Sequence, residues 1–145
     1  MAKKQQKVKL LFATMVKNES KIVLNMLKSV APYIDYWVIQ DNGSKDGTQD
    51  IIRNFFEKRN IPGFLYETTW QFPGFNRDHA LQTALNANHG CSWILRIDAD
   101  ETLHVSDDFD WSLINDTTIE SFNIVATQGS CSYQRCWLWN AKLPW

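Results

Sequence analysis

Short apolar runs alternate along this chain with amphipathic stretches, and most of the apolar runs end in a polar turn. Residues 7–16 are largely apolar and stop at Lys17-Asn18-Glu19-Ser20, which predicts a strand and the loop after it. From Glu19 onward Ile22, Val23, Met26, Leu27 and Val30 recur at helical spacing, and Pro32 closes that helix. Tyr36 to Gln40 is aromatic and β-branched, a second strand, and it runs into Asp41-Asn42-Gly43-Ser44-Lys45-Asp46-Gly47-Thr48. Asp46 or Thr48 then stands where it can cap a second helix with the apolar face Ile51, Ile52, Phe55 and Phe56. Beyond the break Asn60-Ile61-Pro62-Gly63, residues 61–69 predict a third strand. A loop through Pro73-Gly74 leads to a third helix over 76–88, marked by Ala80, Leu81, Ala84 and Leu85 and ended by Gly90.

The next run, Trp93-Ile94-Leu95-Arg96-Ile97, has the character of a buried central strand, and it breaks abruptly into Asp98-Ala99-Asp100-Glu101. The order β-α-β-α-β-α-β predicts an α/β domain, a mainly parallel sheet flanked by helices on both faces. After Leu103 the pattern weakens. Asp107, Asp108 and Asp110 form an acidic loop, and residues 121–126 and 132–139 predict two further strands around a Gly129-Ser130 turn. Four of the seven tryptophans fall in this last third, and the aromatic run ends at Trp145 with no closing helix. The whole reads as a single domain, 1–145, truncated in its second half. The Trp cluster is read as core.

Composition narrows the classes. A chain of 145 residues with 44% hydrophobic content can build one real core. A net charge of −1 gives no general reason to expect nucleic acid as a partner. Lys3, Lys4 and Lys7 read as a solvated tail, no signal-peptide pattern follows Met1, and no stretch has the length of a membrane span. Cys91, Cys131 and Cys136 fit no metal-ligand spacing, and their odd number argues against a disulfide framework. A soluble, cytoplasmic protein is the expectation.

Three polar groups converge on one edge of the predicted sheet, the carboxyl end where open α/β sheets bind ligands. They are Thr14 to Glu19, Asp41 to Ser44, and Asp98 to Glu101, with Arg77 in reach from the start of the third helix. Asp98 and Asp100, two residues apart on an extended chain, point the same way and repel each other unless a cation or donors compensate. The set offers acceptors for a base or ribose, a cation for phosphate and a carboxylate pair for a hard divalent ion. The plainer reading is an acidic turn after a strand, with Asp41 and Ser44 closing another turn and Arg77 pairing with Asp78 or Asp98. Neither Gly-x-Gly-x-x-Gly nor a Walker-type phosphate loop is present.

At these residues the chain resembles family 2 glycosyltransferases of the GT-A (Rossmann-like) fold. The resemblance is carried by Thr14-Met15-Val16-Lys17-Asn18-Glu19, by Val38 to Thr48, by Asn76-Arg77-Asp78-His79-Ala80-Leu81, and by Trp93 to Glu101. It covers 8–103, the nucleotide-sugar-binding half, with 104–145 as the start of the acceptor half. It implies a nucleotide-sugar donor, a UDP-sugar, and a saccharide or other hydroxyl acceptor, with inverting transfer assisted by Mn²⁺ or Mg²⁺. Asp98 and Asp100 match the family's Asp-x-Asp motif: Asp100 ligates the ion, and Asp98 faces the ribose or the metal shell. Asp41 matches the carboxylate that receives a hydrogen bond from the base, and Thr14 lines the base pocket. Arg77 falls where the family places a basic residue near the nucleotide, although Asp78 stands where Asn is usual. Asn18 and Ser44, on the same edge, complete the expected nucleotide-binding set. Glu101 supports the metal shell or caps its turn, Glu19 caps the first helix, and His79 and His89 are structural.

The acceptor-activating base is not identified. Asp107, Asp108, Asp110, Asp116 and Glu120 are available, but none has a matching context. These residues are therefore expected to form a donor-binding module, with weak or no transfer alone. Two other readings stay open: a nucleotidyltransferase-like enzyme, which would need a glycine-rich loop after the first strand, and a non-catalytic nucleotide-binding or interaction domain.

Overall fold

A computed structural model describes residues 9–87, 89–115 and 118–143. The expectations for Lys3, Lys4, Lys7, Asn88, Asp116 and Trp145 lie outside the described residues. Four strands run parallel: β1 (Leu10–Val16), β2 (Tyr36–Asp41), β3 (Gly63–Glu67) and β4 (Trp93–Leu95). Two more, β5 (Ser121–Gln128) and β6 (Cys131–Asn140), form an antiparallel hairpin whose second strand pairs antiparallel with β4. The sheet order is β3-β2-β1-β4-β6-β5, a mixed six-stranded sheet whose four parallel strands match the expected mainly parallel arrangement.

The helices α1 (Val23–Val30) and α2 (Thr48–Glu57) cover one face, and α3 (Pro73–Asn86) covers the other. Side chains alternate across β1, and the core divides accordingly. Leu10, Phe12 and Val16 pack with α1 and α2 around Met26, Leu27, Ile52 and Phe56, while Leu11 and Ala13 pack toward Ala84 of α3. Trp111 stacks on Tyr33 with ring centroids 5.7 Å apart, and Trp111, Trp137 and Trp139 are half-buried at the edge of the two clusters, so the terminal tryptophans border the core that Trp93 joins. No helix of the described residues is long and apolar enough to cross a membrane.

The starts of all three helices differ from the sequence reading. The third helix begins at Pro73, where the pattern predicts a loop; proline fits a first helical turn because its missing N–H would have no partner there anyway. The first helix begins only at Val23: the Glu19 carbonyl accepts from the N–H groups of Ile22 and Val23, and no side chain caps it. Glu19 is thus not the cap expected of it. At α2 the cap residue is Gly47 in the left-handed region, and Asp46 Oδ1 accepts from the Thr48 N–H at 3.1 Å.

Candidate functional site

The carboxyl ends of β1, β2 and β4 bring the predicted residues to one edge. The loop after β1 is stapled to the loop after β2 by backbone-to-side-chain hydrogen bonds: Asn18 N–H to Ser44 Oγ, Lys45 N–H to Asn18 Oδ1, Glu19 N–H to Thr48 Oγ1 and Ser20 N–H to Asp46 Oδ2, all at 2.8–2.9 Å. Asn18 adopts φ 56° to make this link, a conformation that Asn tolerates. Asn18 and Ser44 therefore hold the two loops in register. Thr14 has a similar duty, since its buried hydroxyl donates to the Ile97 carbonyl at 2.7 Å and ties the end of β1 to the segment after β4.

Asp41 ends β2 and is wholly buried. Its Oδ1 accepts from Gly43 N–H, Ser44 N–H and Gln49 Nε2, at 2.8–2.9 Å, but its Oδ2 has no hydrogen-bond partner among the described residues. One carboxylate oxygen is thus saturated and the other is unmatched, although buried acceptors are normally paired.

The β4 end is densely charged. Asp98 Oδ1 receives Arg96 Nη2 at 3.2 Å, and Arg135 Nη1, from β6, lies 3.6 Å from Asp98 Oδ2 and 3.6 Å from Glu101 Oε1. Glu101 Oε2 accepts the Asp98 N–H at 2.9 Å, so Glu101 does close its own turn. Asp100 is exposed and makes no hydrogen bond or ion pair among the described residues. Its charge is felt nonetheless. Glu19 has its carboxyl pushed up by burial and then by Asp100 and Asp46. Burial likewise raises the Glu101 carboxyl, with Asp98 and Asp100 adding to it against the Asp98 N–H and Arg135. Burial lowers the Arg96 guanidinium, opposed by Asp98 and reinforced by Arg77 and Arg135, yet an arginine keeps its charge at any ordinary pH.

Arg77, in the first turns of α3, lines a cavity of about 280 Å³ with Arg96, Asp78, Thr14, Met15 and Trp139. Among the described residues it forms no ion pair, so the plain pairing with Asp78 or Asp98 is not realised. On the other side of Asp98 a groove of about 760 Å³ runs between residues 97–106 and the β5–β6 hairpin.

What fixes Arg77 was not visible in the sequence. The neighbouring Asn76 is fully buried; its Oδ1 accepts from Gln71 N–H at 2.9 Å and its Nδ2 donates to Asn42 Oδ1 at 3.0 Å. Gln40 Nε2 donates to the same Asn42 oxygen and to the Asn76 carbonyl, and its Oε1 meets Tyr66 Oη and His79 Nδ1. His79 is thus structural, as is His89, whose Nδ1 accepts the Cys91 N–H. Asn76→Ala is expected to cost about 2 kcal/mol, the scale of leaving buried partners unsatisfied. Urea denaturation measures it, and a loss below about 0.5 kcal/mol would show that the network is not what anchors α3. Arg96 and Arg135 were also missed. Arg96 left a trace, a lone charge inside an apolar run; Arg135 left none, because only the hairpin's return brings it back to β4.

The family model for glycosyl transferase family 2 matches residues 12–108, about two thirds of the chain. The chain belongs to glycosyltransferase family 2. The match spans the loops after β1, β2 and β4 and stops short of the β5–β6 hairpin. Among solved structures, a crystal structure of S. aureus TarS 1–349 is similar at 25% identity and TM-score 0.51, covering 65% of this chain and 28% of that one. A crystal structure of S. aureus TarS 1–349 in complex with UDP gives 26% identity and TM-score 0.49, over 63% of this chain and 27% of that one. The chain spans little more than a quarter of the length of these two TarS chains. No curated protein matches it. The mixed six-stranded sheet flanked by three helices is a GT-A-like α/β fold, matching the first of these TarS structures.

Proposed function

We propose that these residues bind a nucleoside diphosphate sugar, a UDP-sugar, with Mn²⁺ or Mg²⁺ at Asp98 and Asp100, as the donor half of an inverting glycosyltransferase acting on a saccharide or other hydroxyl acceptor. The observation that carries the reading is Asp100, an exposed carboxylate without a partner among the described residues at the carboxyl edge of β4, beside two carboxylates already held by arginine. Among the described residues no group of three or more His, Cys, Asp or Glu could hold a metal unaided. An ion at Asp98 and Asp100 would therefore need phosphate oxygens or waters to complete its shell. When bound, such an ion offsets the charge that builds on the leaving diphosphate.

The remaining roles belong to the chain. Asp41, whose buried Oδ2 accepts no hydrogen bond among the described residues, is the acceptor for a ring N–H of the base, such as N3–H of uracil, once the residues that cover it give way. Thr14 holds the base-side wall, with Asn18 and Ser44 keeping its two loops together. Asp98 faces the ribose, and Arg77 with Arg96 supplies positive charge toward the phosphates. In the transfer itself the acceptor oxygen bonds to the anomeric carbon as the bond to the diphosphate oxygen breaks on the opposite face, and the hydroxyl proton passes to a base. Asp108 and Asp110 are engaged in local turns with Ser106 and Ser112, so neither is assigned that part. Donor binding is therefore the activity proposed for this stretch.

Calorimetric titration with UDP in Mn²⁺, against the same titration in EDTA, tests the reading. About tenfold or tighter binding with Mn²⁺, lost in Asp100→Ala, is expected. Equal affinity in both buffers would exclude a metal-bridged donor, and no binding in either would favour an interaction domain.

A further inference from the structure

Arg135 lies on β6, outside the stretch matched by the family model, yet it reaches the charged end of β4. Its guanidinium carbon sits 4.4 Å from the Trp137 ring centroid and 4.8 Å from that of Tyr133, and its Nη2 donates to Tyr133 Oη at 2.9 Å. Both rings come from residues two positions away on the same strand, which places a planar cation between two aromatic side chains. Its contacts with Asp98 Oδ2 and Glu101 Oε1, both 3.6 Å, are ion-pair distances beyond the usual 2.7–3.2 Å range of N–H···O hydrogen bonds. The arginine is thus oriented by the rings and the Tyr133 hydroxyl, and it touches the carboxylates by charge alone.

A cation held this way can leave its carboxylates without losing its seat on β6. Together with Asp98, Asp100 and Glu101 it lines the 760 Å³ groove, into which the side chain can withdraw. We propose that Arg135 is a resident counter-ion for Asp98 and Glu101, and that a divalent cation arriving at this edge competes with it for those carboxylates. The proposal rests on the metal reading above. It adds that metal binding to the free protein is opposed by a residue of the hairpin, so the ion enters readily only with the negative charge of a diphosphate.

Titration with MnCl₂ alone, following free Mn²⁺ by electron paramagnetic resonance, tests this without any sugar transfer. Arg135→Gln, with folding verified by circular dichroism, is expected to bind Mn²⁺ about tenfold tighter than the unsubstituted chain, because a positive charge beside the carboxylates has gone. Arg135→Lys keeps that charge without the planar stack and is expected to stay within about threefold. Unchanged or weaker Mn²⁺ binding in Arg135→Gln overturns the competition while leaving the metal reading intact. Failure of all three proteins to bind Mn²⁺, alone or with UDP, overturns both.

Discussion

Asp41→Asn is expected to weaken UDP binding by about 10- to 100-fold while leaving the melting temperature unchanged or higher. The substitution is nearly isosteric, and an asparagine oxygen can keep the bonds from Gly43 N–H, Ser44 N–H and Gln49 Nε2 that hold the turn after β2. What changes is the other arm, where an acceptor becomes an NH₂ donor. The Oδ2 is buried and accepts no hydrogen bond among the described residues, so replacing it takes a charged oxygen out of an apolar setting without breaking a bond. With a base bound, the same atom would accept a ring N–H. A hydrogen bond to a charged group contributes roughly 1.5–3 kcal/mol, which sets the expected loss. Stability and affinity should therefore move in opposite directions, as they do where a site keeps a locally unfavourable group for its ligand. Calorimetry with UDP beside a thermal melt reads both. Affinity within twofold of the unsubstituted chain would leave Asp41 as a turn residue and nothing more.

The elements of the fold were legible because each strand of the parallel core is a compact apolar run with turn chemistry behind it, as at Tyr36–Asp41 and Asp41–Thr48. The end of α1 was equally plain, with its apolar stripe stopping just short of Pro32. The start of α3 was not, because Pro73-Gly74 carries the same local signal for a loop as for a helix's first turn, and only tertiary packing decides between them. The acidic ends of β2 and β4 were visible as charge after an apolar run. Their compensation was not, since Arg96 and Arg135 meet Asp98 from different strands and the pairing of β6 with β4 is long-range. The polar network of Gln40, Asn42 and Asn76 was hidden for the same reason: amides in a sequence do not reveal that they are buried together.

Gly63→Ala is expected to destabilise the chain by about 3 kcal/mol, although in sequence Gly63 only marks a break beside Pro62. Gly63 pairs with Trp37 in the β2–β3 ladder, and a Cβ there would run into the Trp37 carbonyl oxygen and its indole ring. Neither can yield easily. The Trp37 indole stacks on Phe56 with centroids 4.4 Å apart and donates through Nε1 to the Ile61 carbonyl at 2.9 Å, while its N–H donates to the Pro62 carbonyl at 3.1 Å. The added methyl must therefore push β3 away from β2 and strain the backbone contacts that begin the ladder. A drop in melting temperature of roughly 10 °C corresponds to that cost in a domain of this size. Gly74→Ala is the matched control: the same methyl meets only the Phe72 ring at 3.7 Å, in the first turn of α3, and should be neutral or slightly stabilising. Equal melting temperatures for the two variants would mean that the edge strand moves aside at little cost. In that case Gly63 is a turn residue, and β2 is held to the core by β1 and α2 rather than by its outer neighbour.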